Sequence, residues 1–488
     1  LFLSSAWAMQ EVVAPRVRVI FDDAALEPYA QRVAFAAEKA LDALMPLFEA
    51  EDFSVVVTLD DTTDVYNAFA PPLPRPKVVL RALFPSDVSL GYRAADPLYL
   101  LLIHELTHSL HLSYTERPAG APAPPRLGLV GETVARLPPM WFLEGIATWA
   151  EGTFTAGGRQ DDALTRGLLT AAALGEDFPS LSDIALHSYS AWPGGAARYL
   201  HGAAFTAHLI ETHGFGLLLA ALRAYNAGGF ASDFAAAWRA LGVDLEAEWD
   251  AWLTALRREA ETRAGKEHAG ERLTERGWYT RAPAVSPDGR RLAYVTTPAQ
   301  IVVAAVTDEG LGEVRTVAYD RAPSALAWLD DRTLVYARVR PWPGAAWSEL
   351  FALDVASGVE RQLTAGARAH HPAVTPEGCV LYVRDTALEG SRLMRWCEGV
   401  VEPLWTAPEK THLLGVAVSS AGQVALSLWR AGTTELALWE EDAVVTLTRS
   451  AAQALEPAWQ GETTLLFRAD YDEDAFDLYA LDLTTREV

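Results

Sequence analysis

The chain is poor in cations, in cysteine and in long apolar runs. Lys and Arg number 40 against 64 Asp and Glu, a net charge of −24. That balance excludes a nucleic-acid or anionic-membrane partner, since both are held through clustered Lys and Arg. No apolar run approaches the roughly 18 residues of a membrane-crossing helix, so no transmembrane segment is expected. A Gly-x-Ser-x-Gly elbow is also missing, which argues against a serine hydrolase. The only cysteines are Cys379 and Cys397. They flank "VLYVRDTALEGSRLMRW", two strand-like runs around Leu388-Glu389-Gly390. Residue 388 is the midpoint, so an antiparallel hairpin sets the two thiols opposite each other. They form either a disulfide, which fits an oxidising compartment, or a pair of reduced core thiols.

At 488 residues two or three domains are expected. The chain opens "LFLSSAWAMQEVV", where apolar residues lead into Ala6-Trp7-Ala8. Residues 1–8 read as the remnant of a secretory signal with an A-x-A cleavage site. Strand-like and helical text alternates over 15–112: "RVRVIFDD" and "FSVVVTLDD" are strands, with an apolar stripe at helical spacing between them. "KVVLRALF" is a further strand, and a free edge on it would suit an extended peptide. Asp96-Pro97 opens the helix "DPLYLLLIHELTHSLHL", Asp as N-cap and Pro at the first helical position. A Pro/Gly/Ala-rich loop covers 113–139, and helical text runs from Met140 to about Ala264. The fold class is therefore multidomain. An α+β domain over 9–265, a small sheet followed by helices, precedes an all-β domain over 266–488.

The period changes in that second part. "APAVSPDGRRLAYVTT", "SALAWLDDRTLVYAR", "HPAVTPEGCVLYVRD", "LGVAVSSAGQVALSLW" and "EPAWQGETTLLFRAD" share one layout of strand, polar turn and strand. Registered on Ala284, Ala327, Ala373, Ala417 and Ala458, the gaps are 43, 46, 44 and 41 residues. A second hairpin follows most copies, so each repeat is a four-stranded β-propeller blade of the WD40 type. The "SPDG" turns resemble TolB-like propellers. Five blades can be counted. The last stops before an outer "xLT" strand; either "ERLT" at 271–274 closes the ring or the propeller is truncated.

The chemistry sits in "LLIHELTHSLH" (101–111). His104 and His108 are four apart on one helix face and can hold one cation. Glu105 lies beside them, placed to take a proton from water. A third ligand comes from His111 or from Glu144 in "PPMWFLEGIATWAEG"; an otherwise costly carboxylate among Trp141, Ile146 and Trp149 favours Glu144. His111 then reads as a helix-face residue, Arg159 as a loop residue, and His201 and His208 as core or surface histidines.

"HELTH" followed by "WFLEGIATWAE" resembles the gluzincin zinc metallopeptidases, the thermolysin-like and aminopeptidase N-like group (peptidase MA), here fused to a propeller. The resemblance covers residues 15–262. It implies one Zn²⁺ held by His104, His108 and Glu144, with Glu105 as general base for a zinc-activated water. Glu151, seven residues after Glu144, matches a further acidic position and is expected behind the ligands. Tyr199 in "RYLHGAAF" matches a tyrosine that donates to the tetrahedral intermediate. Two departures stand out: thirty-five residues separate His108 from Glu144, and the G-x-M-E-N segment of the aminopeptidases is missing. Exopeptidase specificity is therefore not implied. The expected function is zinc-dependent peptide hydrolysis by an exported bacterial protein, periplasmic or extracellular, acting on a peptide or protein. The alternative is an inactive scaffold whose propeller face holds a protein partner.

Overall fold

In the computed structural model, β-branched runs and long apolar stripes separate cleanly in the first half of the chain. The strands β1 (Gln10–Val13), β2 (Val17–Phe21), β3 (Val55–Asp60), β4 (Ala68–Phe69) and β5 (Lys77–Arg81) form one sheet in the order β1-β2-β3-β5-β4. β2 and β3 run parallel, and helix α1 (Glu27–Leu47) connects them. Val17, Val19 and Phe21 of β2 are buried at every second residue, as are Val55, Val57 and Leu59 of β3. On α1 the buried stripe is Ala30, Val33, Ala37, Leu41 and Leu44, the three-and-four spacing of one helix face.

The "KVVLRALF" run is not a free edge. β5 lies between β3 and the two-residue β4, with Ala68 opposite Leu80 and Phe69 opposite Val79. Both flanks of β5 therefore have a neighbouring strand, and strand addition by a substrate there is excluded.

Helices follow: α2 (Pro97–Ser113), α3 (Met140–Phe154), α4 (Ala163–Leu174), α5 (Ala197–His213), α6 (Phe215–Ala227), α7 (Phe234–Arg239) and α8 (Leu245–Ala264). Asp96 caps α2, its carboxylate accepting from the Tyr99 amide at 3.2 Å. The structure describes residues 9–65, 67–71, 76–83, 95–113, 137–176, 178–186, 192–227, 233–264, 271, 273–274, 280–296, 299–319, 321, 323–440, 443–449, 452–471 and 476–488. Residues 1–8, expected to be a signal remnant, and most of the Pro/Gly-rich loop (114–136) lie outside the described residues.

The chain divides into two compact units. The first holds residues 1–59, 67–80 and 96–268; the second holds 60–66, 81–95 and 269–488. Two short stretches from the first hundred residues thus join the second unit, which a single boundary at 265/266 does not anticipate.

The second unit is a β-propeller of five successive antiparallel sheets. Their first strands are Arg281–Val285, Leu326–Trp328, Ala369–Val374, Thr411–Val418 and Ala454–Gln460. Each contains one of the five registration alanines, so the repeat seen in the text is the blade. Four sheets have four strands; the fifth has three among the described residues. Of the "ERLT" segment, Glu271, Leu273 and Thr274 lie in no strand. The core is shared between neighbouring blades: Ala293 and Ile301 pack with Leu334 and Tyr336, then Val335 and Leu350 with Val380 and Tyr382. The Trp328 indole donates to the Ala284 carbonyl at 2.9 Å, and Trp459 repeats this toward Ala417 at 3.3 Å.

Cys379 and Cys397 are joined in a disulfide, Cα atoms 4.6 Å apart, across a hairpin that pairs Val380 with Trp396. Within the same unit, Thr63 bridges to Ala346 in parallel and the Asp64 carboxylate accepts from the Ser348 amide at 2.8 Å. Arg368 donates to Asp64 at 2.6 Å and to Asp61 at 2.9 Å.

Candidate metal centre

Helix α2 is buried nearly all round. Leu102, Ile103, Leu106 and Leu110 fill one part of its surface, while His104, Glu105, His108 and His111 are buried with them. Four polar side chains inside one helix are costly unless each meets a partner. Helix α3 supplies partners, because Glu144 and Glu151, two turns apart on α3, are buried as well.

Nε2 of His104 lies 3.1 Å from Nε2 of His108. One oxygen of Glu144, Oε2, is 3.4 Å from the first and 3.3 Å from the second. One ligand atom from each of these three residues lies within 4.8 Å of the others, the one such group among the described residues. Beyond these two contacts, Glu144 Oε2 has no hydrogen-bond partner among the described residues. Two imidazole nitrogens and a carboxylate oxygen, converging in a buried pocket, form a donor set that fits a zinc ion.

The electrostatics agree. Burial pushes the Glu144 carboxyl up, but its close contacts with His104 and His108 outweigh it and hold the group well below the usual carboxylate range. Burial and Arg159 push His104 down; its bonds with Glu144 and Glu151 outweigh both, leaving it raised to about 9. The two carboxylates thus draw positive charge onto the His104 imidazole. Glu105 is raised by burial, against the opposing pull of His104 and His108. Its Oε2 has no hydrogen-bond partner among the described residues.

Glu151 is fully buried. Its Oε1 lies 2.7 Å from Nδ1 of His104, a contact that holds an Nδ1 proton toward the carboxylate and would leave Nε2 to serve as the ligand atom when a cation is bound. Arg159 clamps the same carboxylate, Nε lying 2.8 Å from Oε2 and Nη2 contacting Oε1. Nη2 also lies 2.8 Å from His104 Nδ1. With its proton toward Glu151 that nitrogen does not accept from Arg159, and the guanidinium hydrogen-bonds Glu151. Burial raises Glu151, but Arg159 and His104 bring it down to about 2.

Arg159 and His111 are the residues that sequence reasoning placed too far from the site. Arg159 is held by Gly158, which lies so close to α3 that a Cβ there would meet the Gly152 amide at 2.5 Å. The Gly157-Gly158 pair before Arg159 was the available signal. His111 is not a surface residue of α2; it is buried, Nε2 3.3 Å from His108 Nδ1. Burial and the neighbouring His108 push it well below the ordinary histidine range.

Tyr199 stands in the first turn of α5, its ring 6.3 Å from the His104 ring, with the guanidinium groups of Arg159 and Arg198 each 5.1 Å from its centroid. Burial and Glu144 raise its hydroxyl. Glycines set this approach. A Cβ on Gly145 would run into the Gly202 carbonyl, and one on Gly202 into the Trp141 carbonyl. The Glu-Gly and Gly-Ala pairs noted in the sequence are thus the contact at which α3 and α5 cross. His201 is a core residue against Phe178, and His208 pairs with Glu248 at 3.2 Å; neither joins the cluster.

Fold and site together define a two-unit protein, a mixed helical unit with a buried His-His-Glu cluster and a β-propeller. No family model matches the chain, and no curated protein matches it. Several solved structures are similar. TolB from Acinetobacter baumannii shares 15% identity over 41% of this chain and 54% of its own, TM-score 0.31. A protein assigned to TolB from Agrobacterium tumefaciens shares 17% over 42% and 77%, TM-score 0.34. The β-propeller domain of the Trilobed protease from Pyrococcus furiosus shares 10% over 41% and 64%, TM-score 0.32. The match to the first spans about half of that protein's length.

Proposed function

We propose that the protein is a zinc-dependent peptidase of the gluzincin type, with His104, His108 and Glu144 as ligands of one Zn²⁺. The observation that carries this reading is the convergence of those three donors, with Glu105, whose Oε2 has no hydrogen-bond partner among the described residues, buried on the same helix. When bound, zinc polarises a water and a scissile carbonyl. Glu105, raised by burial, is suited to take a proton from the attacking water and pass it to the leaving amine. The Tyr199 hydroxyl, raised and therefore protonated, donates to the developing oxyanion. Glu151, neutralised by Arg159, holds the His104 tautomer. The substrate is a peptide or protein.

The Cys379–Cys397 disulfide supports an exported, periplasmic or extracellular location. Among the described residues no single helix is long and apolar enough to cross a membrane. The test combines zinc stoichiometry with a peptide-library digest, with and without chelator, for wild type and Glu105→Gln. One zinc per chain is expected in both, with hydrolysis in the variant lowered about 10²- to 10⁴-fold. A wild type that binds no stoichiometric zinc, or a Glu105→Gln protein that cleaves normally, overturns the reading in favour of a scaffold whose propeller holds a partner.

A further inference from the structure

We infer that His111 is a positioning residue that fixes the orientation and tautomer of His108, by accepting the His108 Nδ1 proton on its own Nε2. The inference rests on the reading of His104, His108 and Glu144 as metal ligands.

Each neutral imidazole offers one lone pair and one N–H. Nε2 of His108 is directed at the cluster, 3.1 Å from Nε2 of His104 and 3.3 Å from Glu144. A ligand nitrogen needs its lone pair, so the His108 proton lies on Nδ1. The atom facing Nδ1 is Nε2 of His111, at 3.3 Å. That nitrogen must be unprotonated to accept, which places the His111 proton on Nδ1.

The position is otherwise a poor one for histidine. His111 is 1% exposed, lies edge-on to the Phe142 ring at 6.4 Å, and its Nδ1 has no partner among the described residues. A leucine or phenylalanine would fill the same space without a stranded polar atom. The imidazole is accounted for by what its other nitrogen does. The two ligands are therefore held by different chemistry: His104 by a carboxylate that Arg159 neutralises, His108 by an uncharged ring. A carboxylate behind His108 would add negative charge next to Glu105, whereas a neutral acceptor orients the ligand without it.

The test uses the full chain and reads zinc affinity by competition with a chromophoric chelator. His111→Phe should weaken zinc binding about 10- to 100-fold, the usual loss for an outer partner of a metal-ligating histidine. His111→Gln, whose side-chain carbonyl can accept the same proton, should recover most of it. A folded His111→Phe protein with wild-type affinity overturns the proposal. If that variant does not fold, the wild type decides. In the zinc-loaded, ¹⁵N-histidine-labelled chain, long-range ¹H–¹⁵N spectra should show His111 as the Nδ1–H tautomer, and an Nε2–H form overturns the proposal. A wild type that binds no zinc at all overturns the ligand reading itself, and is distinguished because every variant then shows the same absence.

Discussion

Glu151 shows how a single buried carboxylate is held in place. Burial pushes its pKa up, yet Arg159 and His104 bring it down to about 2. A carboxyl whose folded pKa lies below its unfolded value of about 4.3 stabilises the fold above that value. The contribution fades as pH falls from there through about 2. Glu151→Gln leaves the Arg159 charge buried without its partner, which costs about 3–5 kcal/mol at neutral pH. The difference in thermal midpoint between wild type and Glu151→Gln should thus be widest above pH 5 and nearly gone by pH 2. A gap that is independent of pH would mean that the carboxylate charge is not what Arg159 requires.

At the scale of elements, the crossing of α3 and α5 decides whether Tyr199 can approach the cluster. Gly145 and Gly202 each face the other helix's backbone, with Thr206 Oγ1 2.5 Å from a Cβ built on Gly145. Gly202→Ala must push the helices apart, a strain of about 1–3 kcal/mol. It should lower turnover as well as stability, because Glu144 and Tyr199 ride on the two helices. Gly167, inside α4 with nothing within 4 Å of a Cβ, is the matched control. Gly167→Ala should stabilise the protein by about 0.4–1 kcal/mol and leave turnover alone. Thermal unfolding and peptide hydrolysis of the two variants side by side check this. The five registration alanines and the α2 N-cap were legible in the text, since both depend on neighbours within a few residues. The crossing was not read from the sequence, because Gly145 and Gly202 meet across more than fifty positions of chain.

The whole molecule does not divide at one point of the chain. Residues 60–66 belong to the propeller unit, where the Asp64 side chain is fully buried between the Ser348 amide and Arg368. Arg368→Met should cost about 3–5 kcal/mol, because it leaves a buried carboxylate without its cation. The pair Asp64→Leu with Arg368→Met, which removes both charges, should recover most of that loss. Denaturant unfolding of the single and double variants gives the coupling, and strictly additive losses would show that the two groups act independently.

What the sequence by itself determined is local. The blade repeat, the two histidines on one face of α2 and the hairpin that opposes Cys379 to Cys397 all follow from periodicities of two, four or about forty-four residues. Tertiary structure alone decided the rest. It placed Arg159 against Glu151, turned His111 inward, seated β5 between two strands and passed residues 60–66 to the propeller. Each of these depends on which surfaces pack across long stretches of chain. Side-chain volume and the pairing of buried charge settle that packing, and no local pattern of residues records it.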